Sequence, residues 1–140
     1  MSKDQYCEHC GAKVVEYKHN FSAALADGLY QLYLSQQAMF LTDLNLTRYQ
    51  WTNFQKLRYW NLVDQAKDPI TKKATGAWKI TRLGFDFIEN PEITVFKNVW
   101  TFRGQPTRFD GEKVQFNAVH EKFYKKREQY AQEAVLHGGF

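Results

Sequence analysis

The residues with the sharpest chemical reach are Cys7 and Cys10, which stand in the short motif CEHCG. Two thiolates with two residues between them, and Gly11 to allow the turn, can each bind one Zn²⁺ at about 2.3 Å. A closed structural site takes four ligands, and no second CxxC follows in the chain. His19 has the best spacing for a third ligand; His120, His137, an acid or a second chain would have to supply the fourth. The expectation is a structural zinc on Cys7, Cys10 and His19. The alternative is no metal, with the knuckle kept as a turn and its thiols reduced. A thioredoxin-like redox pair fits less well, because no strand–helix unit surrounds the motif.

Catalytic chemistry has no comparable support. A cysteine nucleophile has to be held in a fold beside its base, whereas both cysteines lie in a terminal knuckle. The four histidines are scattered at 9, 19, 120 and 137, with no pair of the HExxH kind. There is no glycine-rich phosphate loop, and the fifteen acids single out no carboxylate pair. The chain reads as a protein that binds rather than as an enzyme.

Binding chemistry is better represented. Between Leu44 and Val63 the sequence LNLTRYQWTNFQKLRYWNLV has Thr47 as an N-cap and Trp51, Phe54 and Leu57 at helical spacing on one face. The other face carries Arg48, Tyr49, Thr52, Gln55, Lys56 and Tyr59, and Arg58 projects beside the apolar stripe as a structural anchor. Asn61 stands where a left-handed C-cap belongs. Directly behind it, DQAKDPITKKATGAWK places Lys67, Lys72, Lys73 and Lys79 around the tip of a hairpin, with Arg82 close by. A helix fits the major groove of DNA, where Arg bonds guanine edges and Asn or Gln bonds adenine. Lysines on an adjoining hairpin would neutralise phosphates. The bland reading is that solvent-facing helices are polar and that edge-strand lysines discourage aggregation. The two patches in succession favour nucleic acid.

Bulk properties agree without deciding the matter. The 140 residues carry a net charge of +4, with 44 % hydrophobic and 16 % aromatic residues, enough for one core. No run approaches the roughly 18 apolar residues of a membrane span. The opening MSKDQYC lacks a secretory pattern, so the expected location is cytoplasmic. Most of the tryptophans, Trp51 included, fall at core spacing and are read as core rather than as stacking platforms for bases.

The elements that must position these residues follow in order. A stub over 1–20 holds the knuckle and a short strand, Val14–Tyr17. A helix capped by Ser22 buries Leu25, Leu29 and Leu32 and breaks near Ser35; Gly28 inside it costs about 1 kcal/mol and marks close packing by another element. A short element runs through Leu44, followed by the helix Thr47–Trp60. A hairpin then spans Val63–Ile80, its turn drawn from Asp68–Pro69 and Gly76. Thr81 caps a helix that stops before Pro91. In WKITRLG the strand feeds that helix without a spacer, which is how a wing closes on the body of a winged helix-turn-helix.

In this order of elements, Leu44–Asn90 resembles a winged helix-turn-helix of the MarR-like kind. LNLT matches the turn, FQKLRYWNLV the recognition helix entering the wing, and WKITRLGFDFI the exit from the wing. The likeness covers about a third of the chain. It implies that Arg48, Thr52, Asn53 and Gln55 face bases, while Tyr49 and Lys56 meet phosphates. It also implies dimerisation through terminal helices. The CxxCG knuckle ahead of LRYW and WKITRLG is similar to small uncharacterised bacteriophage proteins, which implies a phage or prophage origin and no particular activity.

Beyond residue 92 the chain leaves the minimal winged pattern. Strand-like runs at Val99–Arg103 and Lys113–Phe116, separated by Gly104, Pro106 and an Asp110–Gly111 turn, suggest a hairpin. A long helix follows from Asn117, with a stripe of Val119, Phe123, Tyr130 and Ala134. Its partner would be the first helix of the same chain or its own copy in a homodimer. The whole reads as an α+β protein with three parts: a stub over 1–20, a winged helix-turn-helix over 21–91, and a hairpin plus helix over 92–140 packed on the same domain. The expected role is non-catalytic binding of double-stranded DNA in transcriptional control. The alternative is a winged helix used to dock on a protein, such as a phage inhibitor of a host defence or polymerase complex.

Overall fold

Gln5–Tyr6 (β1) and Lys13–Val14 (β2) pair antiparallel, in the register Gln5↔Val14 and Tyr6↔Lys13. Cys7 and Cys10 themselves lie outside the residues that the computed structural model describes, which are 5–6 and 13–123. The single strand expected over Val14–Tyr17 is divided. Its last residue opens a separate strand, Tyr17–Asn20 (β3), which pairs with Val95–Phe102 far along the chain. The stretch assigned to the stub therefore reaches into the main sheet.

Local caps set the next elements. Ser22 Oγ accepts from the Leu25 amide at 3.3 Å and opens α1 (Ala23–Ser35), which buries Leu25, Leu29 and Leu32. A Cβ on Gly28 would sit 3.2 Å from the Phe54 ring, so that glycine does mark a close approach. A single 3₁₀ turn, Leu41–Asp43, leads to α2 (Arg48–Asn53).

The expected continuous helix Thr47–Trp60 proves to be two kinds of helix. After Asn53 the chain tightens into a 3₁₀ run, Phe54–Trp60, before Asn61 ends it in the left-handed region at φ 60°. With three residues per turn, Phe54, Leu57 and Trp60 eclipse one another, and all three are buried. That geometry also corrects the expected place of Trp51. In the α-helical part the residue above Phe54 is Gln50, which is 1 % exposed, and Trp51 is turned outward at 44 %.

Val63–Lys67 (β4) and Ala74–Ile80 (β5) form the expected hairpin, in the register Val63↔Ile80, Asp64↔Lys79 and Gln65↔Trp78. Its turn is Asp68–Lys73. Gly76 lies within β5 at φ 92°, with the Phe40 ring over it, and does not form the turn. Thr81 caps α3 (Arg82–Glu89) by accepting from the Gly84 amide at 3.0 Å.

Val95–Phe102 (β6) and Gln105–Val114 (β7) join through Arg103 and Gly104, both at positive φ, as a two-residue hairpin turn requires. The expected Asp110–Gly111 turn is absent, and both residues lie inside β7. Gly111, at φ 84°, sits where the register slips between Phe96 and Asn98, the mark of a bulge. The sheet order is β3–β6–β7, all antiparallel.

A last helix, α4, is described over residues 116–123 and buries Phe116 and Val119. Phe116 packs against Tyr30 of α1 and Phe87 of α3, which gives this part of the helix a partner within its own chain. Tyr130 and Ala134 lie outside the described residues. One apolar cluster runs from Phe21 and Leu29 through Phe54, Leu57 and Trp78 to Phe87, Val99 and Phe116. The fold is α+β. Among the described residues no helix is long and apolar enough to cross a membrane.

Candidate nucleic-acid interface

The face offered by α2 is decided by what holds its other side. Thr47 Oγ1 accepts from the Gln50 amide at 3.2 Å, and Gln50 Oε1 accepts from the Thr47 amide at 2.8 Å, a complete capping box. The side-chain amide of Gln50 then donates to Ala24 O and to Asp27 Oδ2, each at 3.0 Å. One glutamine thus caps α2 and pins it to α1. With that side fixed, α2 leaves Arg48, Tyr49, Trp51 and Thr52 exposed and Asn53 half-buried, and in the 3₁₀ run behind it Gln55 is exposed and Lys56 half-buried.

Exposure does not make these residues equal. Thr52 Oγ1 donates back to Arg48 O and Tyr49 O at 3.1 and 3.2 Å, and Asn53 Nδ2 donates to Tyr49 O at 2.8 Å. Their donors are turned onto their own helix. Arg48 and Gln55 are therefore the stronger candidates for reaching a base edge, with Tyr49 and Trp51 as exposed rings beside them. Arg58, read from sequence as an anchor, is exposed and lies over the Tyr59 ring at 5.4 Å.

The hairpin carries the cations. Lys67, Lys72, Lys73 and Lys79 are all exposed, although Lys79 faces Asp64 directly across the strands. Arg82 opens α3 with its side chain 86 % exposed and its Nε 3.2 Å from Asp86. At the tip, Asp68 Oδ1 accepts from the amides of Ile70 and Thr71 at 2.8 and 2.9 Å. These two donors hold the Asp68 carboxyl below its usual pKa, so it stays charged and committed to the turn.

Helix and hairpin are mechanically joined. Met39 and Trp78 exchange two backbone hydrogen bonds of 2.8 Å, which tie the root of β5 to the segment ahead of α2. The Trp78 indole packs edge-on against Phe54, with ring centroids 5.8 Å apart. Neither partner can tilt without opening the core.

The residues singled out for metal are separated by what is described. His19 Nε2 lies 2.9 Å from Thr101 Oγ1, and its ring rests 5.2 Å from Tyr59. Burial and the Lys56 ammonium push its pKa down, which keeps the imidazole neutral, the form that binds metals. Cys7 and Cys10 lie outside the described residues, and among those residues no cluster of three His, Cys, Asp or Glu is placed to hold an ion.

Sequence reasoning missed a buried polar group behind this surface. Asp27, 5 % exposed, accepts from Gln50, from Gln31 Nε2 at 2.9 Å, and lies 3.1 Å from His120 Nε2. Gln31 in turn bonds both the N–H and the C=O of Asn45, which fixes the approach to α2. The available signal was a carboxylate set among the apolar positions of α1. Comparison with family models, with curated proteins and with solved structures finds no match for the chain.

Proposed function

We propose that this protein is a winged helix-turn-helix that binds double-stranded DNA without catalysis. α2 with its 3₁₀ continuation, Arg48–Trp60, is the recognition segment, Val63–Ile80 the wing, and transcriptional control by a phage or prophage protein the biological output. The observation that carries this reading is the rigid union of two differently suited surfaces. α2 presents Arg48 and the 3₁₀ run behind it presents Gln55, a hairpin presents Lys67, Lys72 and Lys73, and the Met39–Trp78 and Trp78–Phe54 contacts lock one to the other. Guanidinium and amide groups on a helix suit base edges, and ammonium groups on a hairpin suit phosphates.

The test is the salt dependence of binding to a labelled duplex. Four phosphates neutralised by Lys67, Lys72, Lys73 and Arg82 give a log–log slope of about −4. A slope near zero, or no association at low salt, contradicts the reading.

A second reading is supported by the exposed rings Tyr49 and Trp51, at 55 % and 44 %. Aromatic side chains of this kind anchor protein–protein interfaces. In that case the winged helix docks on a protein complex, and Trp51→Ala abolishes activity that a Lys72→Glu/Lys73→Glu variant retains.

A further inference from the structure

We propose that Ile70, at the tip of the β4–β5 hairpin, is an apolar wedge that enters the minor groove and unstacks a base step, so that the protein bends the DNA it binds. This rests on the DNA-binding reading above and adds to it a residue and a mechanical consequence.

Ile70 is 89 % exposed, the most exposed large apolar side chain among the described residues. An apolar residue on a mobile tip would carry little meaning, but this tip is stapled. Asp68 Oδ1 holds the amides of Ile70 and Thr71, and the Lys72 amide returns to Asp68 O at 2.9 Å. The Asp68 amide reaches Lys73 O at 2.9 Å, and the Lys73 amide reaches Thr71 Oγ1 at 3.3 Å. Pro69 fixes its own φ, and Lys72 is held at φ 63°. Ile is itself stiff at χ1, so little side-chain freedom is left to lose on insertion.

The surroundings choose the partner. Lys67, Lys72 and Lys73 are exposed about this one apolar residue, while the nearest carboxylate, Asp68, is engaged by backbone amides. Cations around an isolated aliphatic tip match a groove with phosphates along both walls and a stack of bases at its floor. Proteins that kink DNA from the minor groove insert Ile, Leu, Phe or Met in this way. Because the root of the hairpin is bonded to Met39 and packed on Phe54, force at the tip is carried into the body. The steps that unstack most easily are pyrimidine–purine steps, so a TA step under the tip is favoured.

The experiment uses the full chain and a duplex of about 25 base pairs with a central TA step, the length over which bending is energetically accessible. Energy transfer between the duplex ends reads the bend, and anisotropy reads binding in the same samples. Wild type and Ile70→Leu are expected to bind and shorten the end-to-end distance. Ile70→Ser is expected to bind at higher protein concentration and leave the duplex straight. If Ile70→Ser loses binding while Ile70→Leu binds and bends, the wedge is equally supported. Saturation by wild type with no shortening overturns the wedge and leaves DNA binding intact, as does an Ile70→Ser complex bent like wild type. Loss of binding in Ile70→Leu also overturns it, since a wedge tolerates leucine. No anisotropy change with wild type removes the DNA-binding reading itself and the wedge with it, leaving Ile70 as a contact for a protein.

Discussion

Gln50 Nε2 donates to Asp27 Oδ2 at 3.0 Å across 23 residues of sequence, and that bond holds the candidate recognition helix on α1. The same glutamine completes the capping box with Thr47, so two supports share one side chain. Gln50→Ala keeps the Thr47 cap on the backbone amide of residue 50 but removes the returning side-chain half of the box, and it leaves a buried carboxylate short of a donor. The expected cost is about 1–3 kcal/mol of stability, read from urea unfolding. A loss below about 0.3 kcal/mol would show that Asp27 finds another partner at no cost.

The same group sets a pH dependence. Burial raises the Asp27 pKa, but hydrogen bonds from His120, Gln31 and Gln50 outweigh it, and the net shift is downward from 3.8. A carboxyl whose folded pKa lies below its unfolded value stabilises the fold fully above the unfolded value. That stability is lost as pH falls through the folded value. Wild type should therefore lose stability more steeply than Asp27→Asn as the pH falls below about 4. Parallel curves through the acid range would contradict the assignment.

Gly84 provides the strictest packing constraint. A Cβ there would stand 2.3 Å from Leu62 O and 2.8 Å from Ile80 Cγ1, and backbone cannot move aside as a side-chain tip can. Gly84→Ala is expected to lower stability by about 1–3 kcal/mol despite its better helix propensity, because α3 must lift from the hairpin root. Thermal unfolding of the variant checks this, and an unchanged or raised Tm contradicts it.

Two tryptophans separate surface from core. Trp78, 8 % exposed and packed on Phe54, should cost about 3–5 kcal/mol as alanine. Trp51→Ala should stay within about 0.5 kcal/mol, the range of surface changes. Equal losses of stability in the two variants would return Trp51 to the core.

What could be read in the sequence was local. Ser22, Thr47 and Thr81 cap their helices, Asn61 ends its own, and the hairpin begins at Val63, because each depends on residues a few positions apart. What could not be read depends on distant partners. Tyr17–Asn20 becomes a strand because β6 offers it an edge, and Asp27 meets His120 across 93 residues. Trp51 was misplaced because a uniform helical period hid the tightening at Phe54. The Asp110–Gly111 pair resembles a turn but serves as a bulge inside β7, where the slip opposite Asn98 requires glycine. Of the candidate interface, the residue types were legible; which donors are already engaged, as in Thr52 and Asn53, was not.

The central claim is that helix face and hairpin act together on duplex DNA. Anisotropy of a labelled random duplex, at two salt concentrations, with wild type beside Lys72→Glu/Lys73→Glu, tests it most directly. The account predicts binding that weakens steeply with salt and is lost in the double variant, whose folded stability is unchanged. Binding that is insensitive to salt and to both charge reversals, or no binding at low salt, would contradict it.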